Sequence, residues 1–65
     1  MSTFVRWEGN DVAVKHEYYY EDRGDRFYEV TEEVRYYVDH YGYYHELSRR
    51  YVSSRDITGW KAQFK

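Results

Sequence analysis

Histidines and carboxylates lie close together in the stretch VRYYVDHYGYYHEL, residues 34–47, where Asp39 precedes His40 and His45 precedes Glu46. Such residues could form a metal site or a proton-transfer pair. Adjacent residues of a β-strand, however, point to opposite faces, so neither pair can meet at hydrogen-bonding distance within a strand. The stretch therefore predicts a metal site or a proton-transfer pair only if it does not form a β-hairpin.

Metal binding and catalysis find little other support in the sequence. The third histidine, His16, is predicted on a different face from His45, while His40 falls in a turn, so the imidazoles do not converge with a carboxylate as ligands. The chain has no cysteine, which excludes disulfides, cysteine-based zinc sites and thiol nucleophiles. There is no glycine-rich phosphate loop and no serine beside a base. We expect no metal, no cofactor and no enzymatic activity.

The apolar residues are mainly of types that favour β-strands. There are ten tyrosines, three phenylalanines and two tryptophans, whereas leucine and isoleucine occur once each, as Leu47 and Ile57. Aromatic and β-branched residues fit a pleated sheet and lose side-chain freedom in a helix. A chain of 65 residues is long enough for one small domain. Composition therefore predicts a single all-β domain, residues 1–65.

Four glycines divide the chain into five predicted strands. Gly24, Gly42 and Gly59 close the tetrads EDRG, DHYG and DITG, and Gly9 lies in EGND. An acidic residue at the start of a turn accepts a local backbone N–H, and glycine adopts positive φ at its end. We expect a five-stranded antiparallel meander, as a strongly twisted sheet or a small, partly open barrel, with strands near 3–8, 11–20, 26–38, 43–55 and 60–64.

Residues 31–42 also fit a helix. Thr31 suits an N-cap, Gly42 suits the position after the C-cap, and apolar residues recur at positions 34, 37, 38 and 41 with helical spacing. This alternative gives a β-β-β-α-β fold. We favour the strand because the third hairpin, with Asp39 opposite Tyr43, would then bring acids opposite arginines.

The turns predict a register for every hairpin. The predicted pairs are Trp7–Val12 and Val5–Val14; Tyr18–Tyr28 and His16–Val30; Val38–Tyr44, Tyr36–Glu46, Glu33–Arg49, Glu32–Arg50 and Val30–Val52; and Val52–Phe64. Period-two alternation then sorts the strands onto two faces. The predicted inner face is mostly apolar and comprises Val5, Trp7, Val12, Val14, Tyr18, Tyr20, Tyr28, Val30, Val34, Tyr36, Val38, Tyr44, Val52, Trp60, Ala62 and Phe64.

The predicted outer face carries the candidate binding residues, a mixture of tyrosine, arginine, histidine and leucine. They are Arg35, Tyr37, Tyr43, His45, Leu47, Arg49 and Tyr51. Exposed tyrosine and arginine are typical of the energetically dominant residues of protein interfaces. Aromatic side chains also stack on the bases of single-stranded nucleic acids.

These features predict a small non-catalytic protein-binding module, an adaptor or inhibitor. A single-stranded nucleic-acid-binding protein, stacking bases on Tyr37, Tyr43 and Tyr51, is the alternative. The net charge of −2 argues against a protein that mainly neutralises phosphates. We expect the partner to be another protein or a second copy of the chain, as a homodimer. No apolar run resembles a signal peptide or a membrane span, so we expect a soluble cytoplasmic protein without membrane contact.

Overall fold

The computed structural model describes residues 1–61, with side chains as far as Gly59. Four antiparallel strands form one sheet in the order β1-β2-β3-β4. The strands are β1 (Ser2–Glu8), β2 (Val12–Asp22), β3 (Phe27–Val38) and β4 (Tyr44–Asp56), and a single helical turn, α1 (Thr58–Lys61), follows them. The prediction of an all-β antiparallel meander is confirmed.

The predicted fifth strand and the barrel are not found. The sheet of the described residues is open, and the segment Thr58–Lys61 is helical, while the rest of the predicted strand 60–64 lies outside the described residues. The carboxylate of Asp56 accepts a hydrogen bond from the backbone N–H of Thr58 at 2.8 Å, which begins a helical turn instead of a hairpin. The backbone N–H of Phe27 donates to the Thr58 hydroxyl at 3.1 Å, which ties α1 to the start of β3. The alternative helix over 31–42 is also wrong, because β3 runs without a break through Val38.

Three of the four predicted turns form at their glycines. Gly9, Gly24 and Gly42 have positive φ, at 68°, 80° and 89°. In the turn between β3 and β4, one carboxylate oxygen of Asp39 accepts the backbone N–H groups of Tyr41 at 2.9 Å and Tyr43 at 3.0 Å. This is the local hydrogen bonding that the acidic first residue predicts.

The register of the first two hairpins differs from the prediction. In the second, Tyr18 lies opposite Thr31 rather than Tyr28, because Asp22, not Glu21, supplies the carboxylate that accepts the N–H of Gly24, at 3.0 Å. The turn therefore lies later in the chain. In the first hairpin, Trp7 lies opposite Ala13 rather than Val12, because residues 9–11 form a three-residue loop.

The third hairpin follows the predicted register only near its turn. Val38 lies opposite Tyr44 and Tyr36 opposite Glu46, as predicted, but Glu33 lies opposite Arg50 and Glu32 opposite Tyr51. An irregularity at Leu47 causes this change, and a second one at Val52 shifts the pairs beyond Glu32; neither residue has a partner in β3. A third, in β1, leaves out Val5. Each extra residue moves the side chains that follow it to the other face.

The observed register defines two faces that differ from the predicted ones. The face called here the aromatic face carries Phe4, Trp7, Ala13, Lys15, Glu17, Tyr19, Val30, Glu32, Val34, Tyr36, Tyr44, Glu46, Arg49 and Tyr51. The opposite face, the charged face, carries Arg6, Glu8, Val14, His16, Tyr18, Tyr20, Glu29, Thr31, Glu33, Arg35, Tyr37, His45, Arg50 and Arg55. The predicted inner face is therefore wrong, because its members are divided between both sides.

Burial in the described part of the sheet is limited to a few residues in its middle. Ala13, Val30 and Val34 are buried on the aromatic face, and Val14 and Glu33 on the charged face. Trp7, predicted to be core, is half exposed; the side chain of Trp60 lies outside the described residues. The radius of gyration is 14.9 Å, against about 11 Å for a compact domain of this length. The described part of the chain is thus a single elongated layer.

Candidate protein-binding surfaces

The seven predicted binding residues do not share one face. Arg35, Tyr37 and His45 lie together on the charged face, whereas Arg49 and Tyr51 lie on the aromatic face. The remaining two are Tyr43, which closes the turn after β3, and Leu47, which is the unpaired residue of a bulge. The bulge at Leu47 causes this division.

A histidine and an aspartate form an exposed pair where the charged face meets the turn. The Nε2 atom of His45 lies 2.8 Å from a carboxylate oxygen of Asp39, and the His45 ring lies 6.0 Å from that of Tyr37. The His45 ring and the backbone N–H of Tyr43 hold the pKa of the Asp39 carboxyl below its usual value. Inspection of adjacent residues alone does not reveal this pair, because Asp39 and His45 are six residues apart and meet across the turn.

Glu33 is the centre of a cationic cluster on the charged face that the sequence did not reveal. Its side chain receives hydrogen bonds from Arg50 Nε at 3.1 Å and Arg35 Nη1 at 3.2 Å. Arg6 Nη1 lies 3.9 Å away and His16 Nε2 3.7 Å away. The hydrogen bond from Arg50 lowers the pKa of the Glu33 carboxyl. A buried carboxylate surrounded by several cations remains ionised.

Glu8, in the edge strand β1, accepts hydrogen bonds from Arg6 and Arg35, two of the arginines near Glu33. Arg35 donates to both of its carboxylate oxygens, at 2.8 Å and 3.0 Å, and Arg6 donates to one of them at 3.0 Å. The hydrogen bonds from Arg35 and then from Arg6 lower the pKa of Glu8 to about 2. The group formed by Arg6, Arg35, Arg50, His16, Glu8 and Glu33 is called the arginine cluster below. The bidentate pair fixes the orientation of the Arg35 guanidinium.

The aromatic face has its own ionic group around Arg49, called the Arg49 cluster. The guanidinium donates to Glu46 at 2.7 Å, to Glu32 at 2.8 Å and to Glu17 at 3.1 Å, and the Tyr36 hydroxyl also donates to Glu17. Burial, followed by the hydrogen bond to Glu17, raises the pKa of Tyr36 to about 12. Three carboxylates thus surround one cation, which leaves a local excess of negative charge.

Aromatic rings cover the buried residues beside this cluster. The rings of Phe4 and Trp7 are 5.7 Å apart, as are those of Tyr36 and Tyr44. The ammonium of Lys15 lies 4.3 Å from the centre of the Tyr44 ring, a cation–π distance. These side chains form one patch across β1 to β4.

Within residues 1–61, no group of three or more histidine, aspartate or glutamate residues is arranged to hold a metal ion. The same part of the chain contains no helix that is long and apolar enough to cross a membrane.

No protein-family model, curated protein or solved structure matches this chain. The two faces and their charges therefore carry the functional argument.

Proposed function

We propose that this protein is a small non-catalytic protein-binding module, an adaptor or inhibitor, whose charged face docks on an acidic surface of another protein. The arginine cluster supports this proposal, because three arginines and a histidine surround only two glutamates. The local surplus of positive charge complements a negative surface, which steers association and fixes the orientation of a partner. Cytoplasmic location, expected from the lack of cysteine, belongs to the same proposal.

The orientation of the arginines in the unbound protein strengthens the argument. Arginine side chains lose considerable freedom when a partner orders them, and this loss weakens binding. Here Glu33 and Glu8 already hold the guanidinium groups, while Arg6 remains 46% and Arg50 63% exposed. Their remaining N–H donors can therefore reach a partner. Tyr37, whose ring lies 6.0 Å from that of His45, adds an aromatic side chain of the kind that dominates many interfaces.

The nucleic-acid alternative has less support. Base stacking needs a continuous platform on one surface, but Tyr37 and Tyr51 lie on opposite faces of the sheet. The net charge is −2, and the cations of the arginine cluster are partly neutralised by Glu8 and Glu33. A protein surface, with discrete carboxylates, matches this arrangement better than a uniformly charged strand.

Affinity capture with matched variants tests the proposal. The wild-type protein is compared with the double variant Tyr37→Ala and Arg50→Gln on the charged face, and with Tyr51→Ala on the aromatic face. A captured protein is then purified and titrated with all three. We expect the charged-face variant to bind at least tenfold more weakly and the Tyr51→Ala control to bind like wild type. Equal binding by both variants would contradict the proposal. Capture of an oligonucleotide, with affinity falling steeply as salt rises, would support the alternative.

A further inference from the structure

We infer that the aromatic face is a self-association surface, on which two copies of the chain pack sheet against sheet as a homodimer. This goes beyond the proposed function, since it concerns the opposite side of the sheet. Stable domains usually consist of at least two packed layers. The described part of this chain supplies one layer only, and a second copy supplies the other.

The exposed aromatic side chains of the strands are concentrated on this face. Phe4, Trp7, Tyr19, Tyr44 and Tyr51 are exposed on the aromatic face, compared with Tyr20 and Tyr37 on the charged face. Beneath them, Ala13 and Val34 are fully buried. Covering such a surface removes apolar area from water and favours association.

The dimensions of the sheet suit a stable dimer. The principal extents are 44 × 19 × 16 Å, so one face presents roughly 800 Å² in projection. An interface of standard size buries about 800 Å² on each partner. Packing along the whole face would therefore bury the area that a specific complex needs. A contact at one end of the sheet would bury too little.

Charge on the aromatic face is complementary to itself. The Arg49 cluster has an excess of carboxylates, whereas Lys15 takes part in no ion pair within residues 1–61. We place the twofold axis parallel to the strands, midway between the two stacked sheets and level with the gap between β2 and β3. This axis lays β2 of one copy over β3 of the other. Since Lys15 lies opposite Val34, two residues from Glu32, this places Lys15 beside Glu32 of the partner subunit. The contact repeats symmetrically, as a closed dimer requires.

The edges of the sheet are less suited to pairing with another copy. Bulges leave Val5 unpaired in β1, and Leu47 and Val52 unpaired in β4. Bulges and charges on edge strands interrupt the ladder that a further strand would need, and they protect natural sheets from edge association. Face-to-face packing leaves these edges unpaired and turns both charged faces outward. The dimer would therefore present two copies of the arginine cluster in opposite directions.

Sedimentation equilibrium over a hundredfold concentration range tests the dimer, with one variant on each face. Trp7→Glu alters an aromatic side chain that is 50% exposed on the aromatic face, and Tyr20→Glu one that is 55% exposed on the charged face. We expect wild type and Tyr20→Glu to reach the dimer mass, and Trp7→Glu to require at least tenfold higher concentration. A wild type that stays at the mass of one chain throughout would overturn the inference, as would equal dimerisation of the two variants.

A charge exchange keeps the inference testable if Trp7→Glu fails to fold, as judged by circular dichroism. Lys15→Glu and Glu32→Lys should each weaken the homodimer, and an equimolar mixture should form more dimer than either variant alone. The mixture restores one Lys15–Glu32 contact and creates one reversed contact. No gain on mixing would overturn the proposed packing.

Discussion

Glu33 and Arg50 form a hydrogen-bonded ion pair, 3.1 Å long, in the middle of a sheet that has only one layer. Glu33 is nevertheless only 5% exposed, because the side chains of the arginine cluster cover it. A buried carboxylate is tolerated only when cations and donors compensate for its lost hydration. The pair therefore belongs to the core of the charged face as well as to its binding surface.

Replacing Glu33 should destabilise the protein more than replacing a glutamate with one partner. Glu33→Gln would keep an acceptor oxygen but remove the negative charge that Arg35 and Arg50 share, whereas the ion pair of Glu29 is with Arg55, at 3.1 Å. Urea unfolding should give a lower midpoint for Glu33→Gln than for Glu29→Gln, with a similar dependence on urea concentration. Equal midpoints would mean that the cluster does not stabilise the sheet.

Acid should lower the free energy of unfolding, because it protonates Glu8 and Glu33 of the arginine cluster. The pKa values of Glu8, at about 2, and of Glu33 are depressed in the folded state by Arg35, Arg6 and Arg50. Their stabilisation is complete above the unfolded pKa of about 4.3 and is lost as the pH falls toward 2, because the unfolded chain then binds protons more readily. Unfolding midpoints in urea should be level from about pH 7 to 5 and should fall below about pH 4.5.

A variant of Glu8 gives the control for this pH dependence. Glu8→Gln should reduce the fall in stability between about pH 4.5 and 2, since one of the depressed carboxyls is absent. Asp11→Asn, in the first turn, removes a carboxylate that belongs to no cluster described above. If both variants show the same pH dependence, the hydrogen bonds to Glu8 are not responsible.

Local signals in the sequence were sufficient to predict the strand class and most turns. Asp39 and Gly42 predict their turn because the carboxylate and the positive φ act within five residues. The bulges at Val5, Leu47 and Val52 were not predictable, because β-branched and aliphatic residues look the same whether or not a partner lies opposite. Each bulge reverses the faces beyond it, so Arg49 and Tyr51 were placed beside Tyr37 when they lie on the other side. The arginine cluster depends on that register and was missed for the same reason.

Substitution of two valines tests which positions of the sheet are buried. Val34 is fully buried and Val52 is an exposed bulge residue. Val34→Ala should lower the free energy of unfolding by about 2 kcal/mol, from the lost methyl groups and the cavity they leave. Val52→Ala should lower it by less than about 0.5 kcal/mol, the usual range for surface substitutions. Thermal and urea unfolding at low protein concentration would measure both; similar losses would place Val52 in the core.

Double-mutant cycles test the register of β3 and β4. Glu33 should be coupled to Arg50, its neighbour on the charged face, and not to Arg49, which lies on the opposite face. Residues in one ion-pair network show interaction energies, whereas residues without shared contacts behave additively. Glu33→Gln is combined with Arg50→Gln in one cycle and with Arg49→Gln in the other. Coupling to Arg49 instead of Arg50 would indicate a sheet without the bulge at Leu47.

Site-specific photo-crosslinking tests most directly whether the two faces have different occupants. A benzophenone side chain replaces Tyr37 on the charged face or Tyr51 on the aromatic face, two exposed tyrosines on opposite sides of the sheet. We predict that position 51 crosslinks to a second copy, with a product of twice the 8.1 kDa of one chain. Position 37 should crosslink to a different protein. The same products from both positions would contradict the account.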